Sequence, residues 1–138
     1  MNRVYLKVRK RKFISKPIKS KEDAYEFFKP LFKDCMHHHE EMHVIAVDNS
    51  NTPISTMLVG SGGITATVAD IRIIMQYLLL SNATAFVVAH NHPSGSTRPS
   101  VQDIKLTDSL KAGSETLDIT LLDSLIITDT SCHSILHD

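Results

Sequence analysis

The chain has 138 residues, 42% hydrophobic and 22% charged, which predicts one compact globular domain and excludes low-complexity or collagen-like chains. No apolar run reaches the roughly 18 residues of a membrane span, and nothing resembles a secretory signal, so we expect a soluble, cytoplasmic protein with no membrane partner. The net charge of zero hides an asymmetry, because residues 1–21 carry nine lysines and arginines and no acid. Cys35 and Cys132 match no metal knuckle or disulfide framework and are expected to be free thiols.

The basic N-terminal segment, residues 1–19, is predicted to be an arm or strand that precedes a domain of residues 20–138. Val4, Leu6 and Val8 alternate with polar residues, as in a half-buried strand. The positive charge could also contact the phosphates of DNA. We favour the solvated strand, and the alternative is an arm that binds DNA.

The first half of the domain is predicted to contain a helix followed by a β-hairpin. Ser20 and Asp23 form the pattern of a capping box for a helix that runs to about Lys33. Residues 42–47 and 54–59 are rich in β-formers and are separated by turn residues, which predicts two antiparallel strands.

The second half is predicted to alternate helices and strands. Thr67 and Asp70 predict a second capping box, for a helix that ends near Leu80, and Pro99 and Ser100 start a third helix that runs to about Lys111. Predicted strands of this half cover residues 85–89, 117–122 and 125–128. A strand, a helix and a strand joined by short loops indicate a right-handed crossover within one sheet. The predicted class is therefore α/β, with a mixed β-sheet flanked by helices.

Two histidines and one aspartate are candidate metal ligands at the end of the strand predicted over residues 85–89. His90 and His92, two residues apart, would point to one face with Cα atoms roughly 6 to 7 Å apart. Asp103 lies in the first turn of the third helix, which the intervening loop would return to the histidines. Three such ligands leave a fourth position open, as in catalytic zinc sites. The alternative for Ser100 and Asp103 is a capping box that only satisfies helix N–H groups.

A rival motif, His39-Glu40-Glu41-Met42-His43, matches the H-E-x-x-H string of helical zinc proteases. That string needs a helix, whereas residues 42–47 are predicted to be a strand. On a strand, His39 and His43 would lie roughly 13 Å apart and could not share a metal ion. Residues 37–39 are then best interpreted as an exposed polar loop.

The string His90-Asn91-His92-Pro93-Ser94-Gly95, followed by Ser100 and Asp103, resembles the JAB/MPN (JAMM) metalloprotease domain and specifically its RadC-like branch. The signature H-x-H-x7-S-x2-D is matched without a gap, and the resemblance extends over about residues 20–130. It implies a cytidine-deaminase-like α/β sandwich. It also implies one zinc ion per chain, held by His90, His92 and Asp103.

The resemblance implies two further functional residues. A glutamate eight positions before the residue that ends the first core strand acts as the base, and counting back from Asp48 gives Glu40. A slip of one residue in register would select Glu41 instead. Ser100 would stabilise an oxyanion. Ser124 departs from the pattern, because RadC-like sequences usually carry histidine there.

These features lead to the hypothesis of a zinc-dependent metallopeptidase or isopeptidase with an unidentified protein or peptide substrate. The family is associated by name with DNA repair. One alternative is a non-catalytic, DNA-associated accessory module that uses the basic arm, and another is a protein-interaction scaffold. The oligomeric state stays open.

Overall fold

The computed structural model describes residues 1–3, 16–62 and 69–138. The predicted strand through Val4 and Val8 lies outside these residues. The described part contains three α-helices, one 3-10 helix and five strands. In chain order these elements are α1 (Lys21–Phe28), the 3-10 helix (Lys29–Phe32), β1 (Glu41–Val47), β2 (Pro53–Ser61), α2 (Ile71–Leu80), β3 (Ala85–Asn91), α3 (Val101–Thr116), β4 (Thr120–Ile127) and β5 (Cys132–Ser134).

The five strands form one sheet in the order β2-β1-β3-β4-β5. β1 pairs antiparallel with β2 and β3, β3 pairs parallel with β4, and β4 pairs antiparallel with β5. This confirms the predicted α/β class, the mixed sheet and the hairpin. Because β1 and β3 run in opposite directions, the start of β1 lies beside the end of β3, where Met42 is paired with His90.

Both faces of the central strands are buried, which explains why β1 and β3 are apolar along nearly their whole length. Side chains alternate between the faces. The core between the sheet and the segment of α1 and the 3-10 helix includes Phe28, Phe32, Ile45, Val47, Val87 and Ala89. The core between the sheet and the helices α2 and α3 includes Met42, Val44, Leu78, Phe86, Val88 and Leu110. Odd-numbered residues of β1 and β3 therefore face α1, and even-numbered residues face α2 and α3.

The first helix is shorter than predicted. Ser20 is its N-cap, with Oγ accepting from Asp23 N at 3.1 Å, but the Asp23 carboxylate accepts from Lys19 N instead of completing the box. α1 ends at Phe28 and continues as a 3-10 helix that contains Pro30 near its start. Proline has no N–H to donate to the preceding turn, which accounts for the change.

The start of α2 also differs from the prediction. Asp70 is the N-cap, and its carboxylate accepts from Arg72 N at 2.9 Å. Thr67, which was predicted to cap this helix, lies outside the described residues. The helix ends at Leu80, as predicted.

The C-terminal elements need two corrections. α3 continues past Lys111 to Thr116, and Asp118 adopts a positive φ of 56° before β4 begins. The two predicted strands 117–122 and 125–128 are one strand, β4, because Asp123 and Ser124 are buried within it rather than forming a turn. The Asp123 carboxylate accepts from the Ser134 hydroxyl at 2.6 Å, which ties β4 to the unpredicted strand β5. Among the helices of the described residues, none has the length and apolar character of a membrane span.

Candidate metal centre

The three predicted metal ligands come together at the end of β3. His90 lies in β3, His92 follows it directly, and Asp103 lies in the first turn of α3. His90 Nε2 is 3.1 Å from His92 Nε2 and 3.1 Å from Asp103 Oδ1, and His92 Nε2 is 3.2 Å from Asp103 Oδ2. Such a group of nitrogen and oxygen atoms, all within 4.8 Å of one another, can hold a metal ion.

The donor atoms suit a divalent transition metal. His92 Nδ1 is 2.8 Å from the carbonyl oxygen of Ser96, and since a carbonyl can only accept, this nitrogen donates its hydrogen. In the neutral ring, Nε2 then presents a lone pair to the cluster, as a metal ligand requires. The side chains of His90, His92 and Asp103 are 3%, 12% and 16% exposed. Two imidazoles and one carboxylate, largely shielded from water, fit zinc.

The capping box at the start of α3 is present together with the cluster. Ser100 Oγ accepts from Asp103 N at 3.1 Å, and Asp103 Oδ2 accepts from Ser100 N at 2.8 Å. The other carboxylate oxygen, Oδ1, faces His90. The two interpretations of Asp103 are therefore compatible, because the cap holds the carboxylate in the orientation that brings it to the histidines.

The electrostatics of the cluster keep the Asp103 carboxylate charged. Burial would raise the pKa of Asp103, but the hydrogen bonds from His90, His92 and Ser100 N hold it well below its usual range. The hydrogen bond to Asp103 raises the pKa of His92, against the opposing effect of burial. The carboxylate is therefore anionic at neutral pH.

A cavity of about 1030 Å³ opens in front of the cluster, and its lining includes Glu40, Ser100 and the three candidate ligands. Glu40 directly precedes β1 and, by the alternation of the strand, lies on the same face as Met42, which also lines the cavity. The fold thus brings to one cavity all five residues singled out from the sequence.

Glu41 points to the opposite face of the sheet. Its Oε1 is 3.0 Å from His39 Nε2, and its Oε2 is 3.0 Å from His43 Nε2. Burial would raise the pKa of Glu41, but the hydrogen bonds from His43 and His39 lower it below its ordinary value. The alternation of β1 therefore favours Glu40 over Glu41 as the carboxylate of the cavity.

The rival H-E-x-x-H motif does not form a helical zinc site, because residues 41–47 are a strand. Both histidines of the motif instead contact the Glu41 carboxylate. His37 and His38 are exposed, as predicted, but His39 is half-buried, which corrects the expectation of an exposed loop over all three residues.

Asn91 has a structural role that the sequence analysis missed. Its side chain is fully buried, Nδ2 lies within hydrogen-bond distance of the carbonyls of Cys35, Met36 and His39, and Oδ1 accepts from Glu41 N at 2.8 Å. It therefore holds the segment that carries Glu40 against the end of β3. The signal in the sequence is that a polar residue stands between His90 and His92. Because side chains alternate along a strand, the Asn91 side chain points away from the face that carries both histidines.

Ser124, the departure from the RadC-like pattern, lies outside the cavity lining. It is buried and accepts a hydrogen bond from Thr107 Oγ1 at 2.9 Å. Since Thr107 is on α3, this contact ties β4 to the helix that carries Asp103.

Comparisons with known proteins agree with this geometry. The family model of the RadC-like JAB domain matches residues 18–138. A UPF0758 protein of Flavobacterium johnsoniae is 39% identical over 119 residues, which cover 86% of this chain and 51% of that protein. A UPF0758 protein of Porphyromonas gingivalis is 39% identical over 110 residues, covering 80% of this chain and 48% of the relative. The chain thus spans about half the length of these relatives, and it belongs to the RadC-like JAB domain family.

Proposed function

We propose that the chain is a zinc-dependent hydrolase of amide bonds, of the peptidase or isopeptidase type. The observation that carries this proposal is the convergence of His90, His92 and Asp103 within 4.8 Å, at a cavity that Glu40 and Ser100 also line. A structural metal site is usually closed by four protein ligands, whereas three ligands beside an open cavity are typical of a catalytic site.

His90, His92 and Asp103 would hold the ion. Zinc bound by three protein ligands supplies a Lewis acid that lowers the pKa of water toward neutrality. Glu40 would accept the proton of the attacking water and deliver it to the leaving amine. Ser100 Oγ already accepts from Asp103 N, which leaves its hydroxyl hydrogen to stabilise the oxyanion that develops on the carbonyl.

We further propose that the substrate is a protein or peptide and that the chain acts on it in the cytoplasm. The cavity at the end of β3 can admit an extended chain, and the polar residues in its lining offer hydrogen-bond partners. A link to DNA repair rests on the family's association alone. The alternative of a DNA-associated module depends on the basic arm, most of which lies outside the described residues, so it stays a prediction.

The test is hydrolysis of a panel of peptide and isopeptide substrates by the zinc-loaded chain and by Glu40→Gln. We expect Glu40→Gln to keep its zinc and to lose about 10² to 10⁴ in kcat, the usual contribution of a general base. Glu115→Gln is the matched control, because Glu115 is exposed on α3 and absent from the cavity lining. Full activity of Glu40→Gln would contradict the assignment of the base.

A further inference from the structure

We propose a second metal site, on the opposite face of the sheet, in which Cys35 Sγ, His39 Nε2 and a Glu41 carboxylate oxygen hold one divalent ion of the zinc class. Atoms of these three side chains all lie within 4.8 Å of one another. The proposal does not depend on hydrolysis or on metal binding by His90, His92 and Asp103.

One of the three side chains is buried and the other two are partly exposed. Cys35 is 2% exposed, whereas the side chains of His39 and Glu41 are 27% and 18% exposed. His39 Nε2 and Glu41 Oε1 are 3.0 Å apart. A set of one sulfur, one imidazole nitrogen and one carboxylate oxygen favours zinc or a similar transition metal over magnesium or calcium, which prefer oxygen ligands.

The backbone of all three candidate ligands is fixed by one buried side chain. Asn91 Nδ2 is 3.2 Å from Cys35 O and 2.9 Å from His39 O, and Asn91 Oδ1 accepts from Glu41 N at 2.8 Å. His39 N also donates to Cys35 O at 3.2 Å. The ligand-bearing segments are therefore held together without a metal, so little ordering of the backbone would oppose binding.

The second polar atom of each half-buried ligand also has a partner. Glu41 Oε2 is 3.0 Å from His43 Nε2, and His39 Nδ1 is 2.8 Å from His38 Nδ1. The His43 ring in turn packs edge-on against Phe32, with centroids 4.7 Å apart. Such outer contacts orient ligands in metal sites. They distinguish this cluster from side chains that meet by chance on a surface.

The ligands flank Glu40, the proposed base, on both sides in the sequence. An ion bound to His39 and Glu41 would restrain the backbone at Glu40, which faces the other side of the sheet. The second site would thus stabilise the segment that presents Glu40 to the cavity.

The test is titration of the metal-free full chain with Co²⁺, followed by near-ultraviolet absorption. A cobalt–thiolate bond gives a charge-transfer band there, and the His90, His92 and Asp103 cluster contains no sulfur. We expect the band in the wild type, its loss in Cys35→Ser, and its retention in Cys132→Ser, the matched control at the other cysteine. His92→Ala should also retain the band, although it removes a ligand of the first cluster, which is the group of His90, His92 and Asp103.

A second variant covers the case that Cys35→Ser does not fold. Glu41→Gln keeps Cys35 and should weaken cobalt binding, read from the thiolate band, by roughly tenfold or more. The proposal is overturned if the wild type shows no thiolate band at saturating Co²⁺, or if the band survives Cys35→Ser. Either result leaves the proposed hydrolase standing, because zinc lost in His92→Ala reports on the first cluster separately.

Discussion

The replacement Asn91→Ala tests whether one buried amide holds the segment before β1 in place. The Asn91 side chain has polar contacts with four backbone groups, namely the carbonyls of Cys35, Met36 and His39 and the N–H of Glu41. Alanine would remove all of these contacts while leaving the strand itself intact. The segment 35–41 would then lose its main polar attachment to β3.

The expected cost follows from these contacts. The two hydrogens of the Asn91 amide are shared among three carbonyls, so we count three effective hydrogen bonds. A net contribution of about 1 kcal/mol each, with part of the penalty for buried groups left without partners, gives a loss of about 3 to 5 kcal/mol in the free energy of unfolding. For a domain of this size, the loss corresponds to a fall in Tm of about 10 to 17 °C.

Denaturant and thermal unfolding would measure this loss, and hydrogen exchange would locate it. We expect faster exchange at the amide of Glu41, which donates to Asn91 in the wild type. Asn49→Ala is the matched control, because Asn49 is exposed in the turn after β1 and its replacement should change stability by less than about 0.5 kcal/mol. A loss below about 1 kcal/mol for Asn91→Ala would refute the claim that Asn91 holds the segment before β1 against β3.

Two other variants give further tests. Ser100→Gly should lower kcat by about 10² to 10³ through loss of the oxyanion donor, yet cost only a few tenths of a kcal/mol in unfolding, since glycine is tolerated at an N-cap; unchanged kcat would remove Ser100 from the mechanism. Burial raises the pKa of Asp123, although hydrogen bonds from Ser134 and Ser124 oppose the shift. The folded state therefore holds this proton more tightly than the unfolded state, so the wild type loses stability as pH rises above about 4, the ordinary range of the carboxyl group. Asp123→Asn should thus gain stability relative to the wild type between about pH 4 and neutrality in unfolding measurements, and a difference that does not change with pH would contradict the shift.

The central elements of the fold could be predicted because their patterns are local. The apolar runs of β1 and β3 and the turn residues of the hairpin indicate their structure without tertiary context. The predicted ends of helices and strands were less accurate where contacts between residues far apart in the sequence determine them. Asp123 and Ser124 have the composition of a turn, but Ser134 and Thr107 satisfy their polar side chains within a continuous strand.

The first cluster was predictable because its spacing and the family resemblance select the same residues. His90 and His92 share one face of the strand end, and Asp103 is placed by the cap at Ser100. The contacts of Glu41 were not predictable, because they depend on which face each residue of β1 occupies and on the turn that returns Cys35 and His39 to it. The H-E-x-x-H string includes His39 and His43, but it is typical of a helical zinc site, and the chain forms a strand there instead.

Metal content of the Cys35→Ser chain, with and without His92→Ala, tests the central claim most directly. The Cys35→Ser replacement removes the only sulfur of the second cluster, so the remaining metal reports on His90, His92 and Asp103. We predict about one zinc ion per chain by elemental mass spectrometry in Cys35→Ser and none in the double variant. Absence of bound metal in folded Cys35→Ser after reconstitution with zinc, or zinc that survives His92→Ala, would contradict the assignment of this cluster as the metal centre.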